Sequence, residues 1–231
     1  IDGSMTARMK REDLIITSQI KPGDVIVGLS SSGKATYENE YNSGIGSNGL
    51  TSARHDILNK SYLNKYPESF DPSTDHSVLY IGSKKLQDKL EETPLDYGKA
   101  LLSPTKTYSP LIKVMLQEMR EDIHSMVHCT GGGQTKVLHF IDELKIIKDN
   151  LLPTPPLFRA IQRESGTSWQ EMYKVFNMGQ RMEIYLPASK AEQLIAIAGK
   201  FDIEAQVIGR VESSKIKEVE IISSHGTFKY Q

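Results

Sequence analysis

The residues best suited to chemistry stand together at His128-Cys129-Thr130-Gly131-Gly132-Gly133. An imidazole titrates near ~6.5, so His128 can give or take a proton at neutral pH. Thr130 adds a hydroxyl, and the three glycines add backbone N–H groups that no side chain covers. A glycine run costs backbone entropy, so it marks a positive φ or the close approach of another group. Bare N–H groups where a helix begins form a ready anion site. The chemistry these residues suggest is anion binding with proton transfer at its edge. A tight, ligand-free strand-to-helix turn would use the same residues. A second stretch of the kind, Gly44-Ile45-Gly46-Ser47-Asn48-Gly49, shifts the balance towards a site.

These loops need elements to aim them. Ile123–Val127 reads as a strand, and Gln134–Ile141 as a short helix after the triple glycine. Val25-Ile26-Val27-Gly28-Leu29 reads as a buried strand running into Ser30-Ser31-Ser32-Gly33. A polar loop, Lys34–Ser43, follows and is expected to be solvated and mobile. Leu50–Leu58 then reads as a helix, with Ser47 or Asn48 as its cap. Two strand–glycine–helix turns from neighbouring strands can meet at one end of a sheet. Backbone N–H groups near Gly33, Asn48–Gly49 and Gly131–Gly133 are therefore expected to converge on one pocket, with His128 at its edge.

The remaining elements fill out the frame. The polar, proline-broken stretch at about 60–100 reads as an insertion, with a strand at Ser77–Ile81 and a helix at Lys84–Glu92. His76 and Tyr80 there read as surface or packing residues. Leu111, Val114, Met115 and Met119 make one apolar face of a helix over Pro110–Glu121, and both methionines are expected in the core. Glu143–Lys148 reads as a strand with an exposed polar side. Pro156 opens a helix over Leu157–Glu164. Ser168 and Glu171 have the spacing of a capping box, ahead of Trp169, Met172, Val175 and Phe176 on one face. Met182–Leu186 is a strand, and Ala188–Lys200 a helix with Ala191, Leu194, Ile195 and Ala198 inward. Strands Ala205–Val211 and Val219–Ile222 close the chain. This order predicts an α+β fold, a layered α/β/α domain with a mixed β-sheet.

Composition narrows the function classes. The 231 residues are 38% hydrophobic and 25% charged, ordinary for a soluble protein with a sizeable core. A net charge of −1 gives no argument for nucleic acid or an anionic membrane as partner. Cys129 is the single cysteine, so no internal disulfide forms, and a cytoplasmic setting is expected. The chain opens Ile1-Asp2-Gly3-Ser4-Met5 and is expected to be a fragment or a processed product. There is no Gly-x-x-x-x-Gly-Lys-Ser/Thr phosphate loop.

The motifs fall in a recognisable order. Gly23–Leu29, Ser31-Ser32-Gly33, Ser47-Asn48-Gly49, Leu102–Thr105, His128–Gly133 and Met172–Gly179 resemble the C-terminal domain of phosphoribosylformylglycinamidine cyclo-ligase, the aminoimidazole ribonucleotide synthetase family. The resemblance runs from about Lys21 to the end and implies an ATP-dependent ligase of purine biosynthesis, acting on a small-molecule nucleotide. It makes residues 1–20 the tail and linker of a preceding ATP-binding domain, and residues 21–231 the synthetase C-terminal domain. That preceding domain would bind ATP and Mg²⁺ and form the homodimer, so this chain alone is expected to be inactive. The implied substrate and phosphate ligands are Ser31, Ser32, Gly33, Ser47, Asn48, Gly49, Thr130, Gly131, Gly132, Gly133 and Asn177. His128 is the implied catalytic residue, and no metal ligand is assigned. One departure stands out: the family commonly carries His-Ser-Asn-Gly, and Gly46 occupies the histidine position, leaving Tyr37, Glu38, Glu40 or Tyr41 as possible substitutes. Other readings are a non-catalytic phosphate- or nucleotide-binding module and a sibling such as the amidotransferase-dependent synthetase, selenophosphate synthetase or a hydrogenase maturation protein.

Overall fold

A computed structural model describes residues 4–231. The continuous apolar run after Asp24 becomes β1 (Asp24–Ser30), the centre of a seven-stranded sheet. After a small hairpin, β2 (Ser32–Gly33) and β3 (Asn42–Ser43), come helices α1 (Leu50–Ile57), α2 (Ser61–Lys65), α3 (Tyr97–Leu102) and α4 (Ser109–Met119). Then follow β4 (Ser125–His128), β5 (Leu144–Lys148), α5 (Pro156–Ser165), α6 (Trp169–Val175), β6 (Gln180–Pro187), α7 (Ala191–Gly199), β7 (Ala205–Ser213), β8 (Glu218–Ser223) and β9 (Gly226–Tyr230). The spatial order is β4-β6-β1-β7-β5-β8-β9, antiparallel throughout except for the parallel β5–β8 pair.

Alternation splits β1 between two cores, because successive side chains leave opposite faces of the sheet. Ile26 joins α1, α3, α5 and α6 on one face, whereas Val27 and Leu29 join α4 and α7 on the other. The layered α/β/α arrangement with a mixed sheet is therefore present. Met115 and Met119 are core residues, as their spacing predicts. Pro156 opens α5, and the Ser168 hydroxyl accepts from the Glu171 N–H at 3.3 Å to cap α6.

Several local expectations change. Ser77–Ile81 is not a strand and Lys84–Glu92 is not a helix; the stretch holds turns and isolated bridges, while Leu79, Tyr80, Leu90 and Leu95 are buried. Tertiary burial of single apolar residues supersedes local periodicity there. Neither Ser47 nor Asn48 caps α1: Gly49 holds the N-cap position in the left-handed region, with no side-chain cap. The predicted helix after the triple glycine is a 3₁₀ turn, Gly133–His139. In α7 it is Ile197 that turns fully inward, Ile195 remaining half-buried. Lys148, at the end of β5, is wholly buried.

Candidate functional site

The first glycine-rich loop leaves β1 and is held along its length. Lys106, itself buried, places its ammonium 2.6 Å from Glu38 and 3.3 Å from the Gly33 carbonyl. The Ala35 N–H donates to Glu38 at 2.8 Å, the Tyr37 hydroxyl to the Thr107 carbonyl, and the Asn42 amide to the Pro104 carbonyl at 2.8 Å. The Lys34–Ser43 segment is thus strapped down, contrary to the expectation of a mobile loop. Tyr37 and Glu38 are committed to these contacts, and burial pushes the Tyr37 hydroxyl up to about 12. Glu40 and Tyr41 line a separate cavity beside Lys99 and Leu102. Gly44-Ile45-Gly46 then passes under the surface before Ser47 and Asn48 emerge ahead of α1.

The second loop leaves β4. The Cys129 N–H donates to the Arg181 carbonyl at 2.6 Å, and the Gly133 N–H donates to the Thr130 carbonyl at 2.8 Å. Gly132 and Gly133 both take positive φ. At Gly133 a Cβ would lie 2.5 Å from the Phe176 carbonyl oxygen and 2.6 Å from that of Tyr173. Only glycine fits this wedge between α6 and the 3₁₀ turn.

The two loops meet. A Cβ on Gly131 would lie 2.9 Å from the Asn48 side-chain nitrogen. Asn48, Gly49, Gly131 and Gly132 line an open cavity of about 460 Å³, to which Lys174 and Lys217 bring positive charge and Glu171 a negative one. Backbone N–H groups with nearby ammonium groups suit an anion.

Other predicted ligands lie elsewhere. Gly33 and Ser32 are paired into the β2–β3 hairpin. Ser31 is fully buried and its hydroxyl finds no partner. Ser47 is exposed beside the start of α1, its carbonyl accepting from the Leu50 N–H at 3.3 Å. Thr130 is half-buried in the turn it closes. Asn177 is buried, donating to the Gly44 carbonyl at 2.9 Å and accepting from the Gly179 N–H at 3.1 Å, so it ties the first loop to the start of β6. His128 stands at the exposed end of β4 and does not line the cavity. Desolvation, then the Arg181 charge, holds its imidazole below the usual histidine range.

Three buried charged side chains lie outside the set expected from the sequence. Lys148 and Glu183 form an ion pair with neither side chain exposed. Lys148 also donates to the Gln134 carbonyl at 2.7 Å and its side-chain oxygen at 3.2 Å, and the Tyr185 hydroxyl donates to Glu183 at 2.8 Å. Gln134 follows Gly133 directly, so this network anchors the triple-glycine turn to the sheet. Burial, then Glu183, raises the Cys129 thiol well above its ordinary value, which makes it inert. The third is Arg181, buried at the start of β6, with its guanidinium donating to the Gly44 carbonyl at 2.7 Å.

Among the described residues no three His, Cys, Asp or Glu side chains gather into a metal site. Glu171 is the one carboxylate side chain at the cavity, beside two ammonium groups and backbone amides, and this set does not suit Mg²⁺, which wants several carboxylate and phosphate oxygens. Among the described residues no helix is long and apolar enough to cross a membrane.

A family model described as "AIR synthase related protein, C-terminal domain" matches residues 21–222. The phosphoribosylformylglycinamidine cyclo-ligase of Methanocaldococcus jannaschii is 33% identical over 216 residues, covering 92% of this chain and 51% of that protein. The enzyme of the same name from Alkaliphilus metalliredigens is 31% identical over 215 residues, covering 91% and 52%. The chain therefore spans about half the length of the curated relatives it matches. A hydrogenase maturation protein, HypE, solved in complex with ATP, superposes with a TM-score of 0.49 at 13% identity, covering 93% of this chain and 52% of that one. That likeness is too distant to bear on function.

Proposed function

The chain belongs to the AIR synthase related family through that family's C-terminal domain, and from this premise we propose that it is the substrate-holding part of an ATP-dependent cyclo-ligase converting formylglycinamidine ribonucleotide to aminoimidazole ribonucleotide. The observation that carries this reading is the meeting of Asn48 and Gly131 at a cavity lined also by Lys174 and Lys217, within a chain whose motifs keep the family's order. The cavity takes the substrate's phosphate on backbone N–H groups of the two loops. His128, at the end of β4 outside the cavity lining, is the proposed proton acceptor as the ring nitrogen attacks, its imidazole held below the usual histidine range by desolvation and then by Arg181.

ATP supplies the phosphoryl group that turns the formyl oxygen into a leaving group. The residues here do not fit Mg²⁺, so nucleotide and metal fall to the other half of the enzyme, which also forms the homodimer. The test is ring closure assayed on this chain alone, on the other half of a cyclo-ligase, and on the two together. The expected outcome is ATP-dependent product only from the pair. Product from residues 1–231 alone would place the nucleotide and metal site in this chain and overturn the division of labour.

Gly46 favours a second reading, in which the domain binds a phosphorylated ligand without turning it over. The paired assay separates the two: ligand binding with no product from the complete protein selects this alternative.

A further inference from the structure

A second cavity, of about 620 Å³, opens between α1 and the segment that follows α2. It shares no lining residue with the cavity at Asn48 and Gly131. Arg54 and His55 line it from α1, and Phe70, Val78 and Leu79 from the later segment. Arg54 is a fixed cation with one free edge. Its Nη2 donates to the Ser69 carbonyl at 2.8 Å and to His55 Nε2 at 3.2 Å. A guanidinium only donates, so Nε2 accepts and the imidazole proton sits on Nδ1. That Nδ1 is buried without a partner, on a residue 7% exposed. The Arg54 Nε is likewise buried and unpartnered. Its Nη1 makes no bond and is not buried, so it is the nitrogen a ligand can reach. Among the described residues Arg54 forms no ion pair. A guanidinium held on one edge and open on the other is prepared for a carboxylate.

The rest of the lining limits what that carboxylate is attached to. Phe70 is half-buried and Val78 is 55% exposed, so an apolar body has surface here to cover. Three carboxylates, Asp56, Glu68 and Asp71, stand against the single guanidinium. The Ser52 hydroxyl donates to Asp56 at 2.8 Å, and the Ser73 N–H and hydroxyl donate to Asp71 at 2.8 and 2.7 Å. Glu68 and Asp71 are both exposed. A simple anion such as phosphate therefore meets more negative than positive charge. A simple cation leaves Arg54 unanswered. One carboxylate and one ammonium on an apolar body answer both.

We propose that this cavity binds a free amino acid with an apolar side chain. The carboxylate accepts from Arg54 Nη1, the ammonium faces Glu68 and Asp71, and the side chain lies along Phe70 and Val78. His55 is a positioning residue, because its Nε2 holds the guanidinium in place. The site gives the segment after α1 a binding role, and it stands whether or not the phosphate-site reading does.

The test titrates the 231-residue chain with L-phenylalanine in a calorimeter, with a Kd at or below about 1 mM expected. Phenylpropionate lacks the ammonium and phenethylamine lacks the carboxylate. Each should bind about tenfold more weakly or worse, the usual effect of losing one charge-assisted hydrogen bond. Arg54→Gln should weaken phenylalanine by a similar factor. Because Arg54 also ties down Ser69, two exposed positions supply variants that keep the fold: Glu68→Lys and Val78→Asp, checked by circular dichroism. Each should weaken phenylalanine about tenfold while leaving the melting temperature of the free chain in place. No binding of phenylalanine to the wild type overturns the proposal. So does phenethylamine binding as tightly as phenylalanine, or displacement of phenylalanine by inorganic phosphate. Wild-type affinity in Arg54→Gln, or in both surface variants, places the binding elsewhere and refutes the assignment.

Discussion

Lys148→Met is expected to be among the most destabilising single changes in this chain. Methionine keeps most of the lysine stem, so little cavity forms and the cost is electrostatic. Glu183 would stay wholly buried with only the Tyr185 hydroxyl and the Cys129 thiol to meet its charge. Removing one partner of a buried ion pair costs about 3–5 kcal/mol. The Gln134 carbonyl also loses its 2.7 Å donor, which alone costs about 1–3 kcal/mol; the two overlap, and about 4 kcal/mol is the working value. At about 2–4 °C per kcal/mol for a chain of this size, the melting temperature should fall by roughly 8–16 °C. Urea unfolding followed by circular dichroism measures the change, with the slope unaltered. Lys148→Met/Glu183→Leu removes both charges and should recover much of the loss. Amide exchange at Thr130–Gln134 should quicken in the single variant, since Gln134 ties that turn to the sheet. A single variant costing under about 1 kcal/mol, or a double variant whose cost equals the sum of the two singles, would show that the pair is not coupled and that the turn is anchored some other way.

In the complete enzyme, His128→Asn should cut turnover by roughly 10²–10⁴-fold while the melting temperature stays put; a loss of activity that merely tracks a loss of folded protein would make the residue structural. His55, His128 and His225 all have pKa values lowered by desolvation, so the unfolded chain binds more protons below its ordinary value of ~6.5. Their contribution to stability is therefore full above about pH 6.5 and declines as the pH falls below it; a urea midpoint that rises between pH 7.5 and 5.5 would contradict this. Gly133→Ala should cost more than about 1–3 kcal/mol, the strain of a positive φ on its own, because the new methyl also meets two carbonyl oxygens. A Gly133→Ala protein with the wild-type urea midpoint would mean that the wedge yields easily.

What the sequence revealed, and what it hid, follows from the range of the interactions. β1 is legible because Val25-Ile26-Val27 is buried on both faces, and α4 because Leu111, Met115 and Met119 recur at helical spacing. The glycine turns are legible because they are local. β9 was missed although Phe228 and Tyr230 alternate with Thr227 and Lys229, since one flank rests only on partial burial against the core. Lys148 is hidden by its polarity, although strict alternation sets it on the same face as Leu144 and Ile146. Glu183 likewise shares a face with Tyr185. Two opposite charges on inward faces of different strands are a readable sign of a buried pair, once period is given precedence over hydrophilicity. Arg181 carries no such local sign. Its hydrogen-bond partner Gly44 is 137 residues away in the chain, and its presentation depends on a register slip that no strand pattern encodes. Read alone, Gly46 is a lost histidine and argues against function. Read with the guanidinium packed against it, the same glycine is what makes room for Arg181, a side chain brought from another strand.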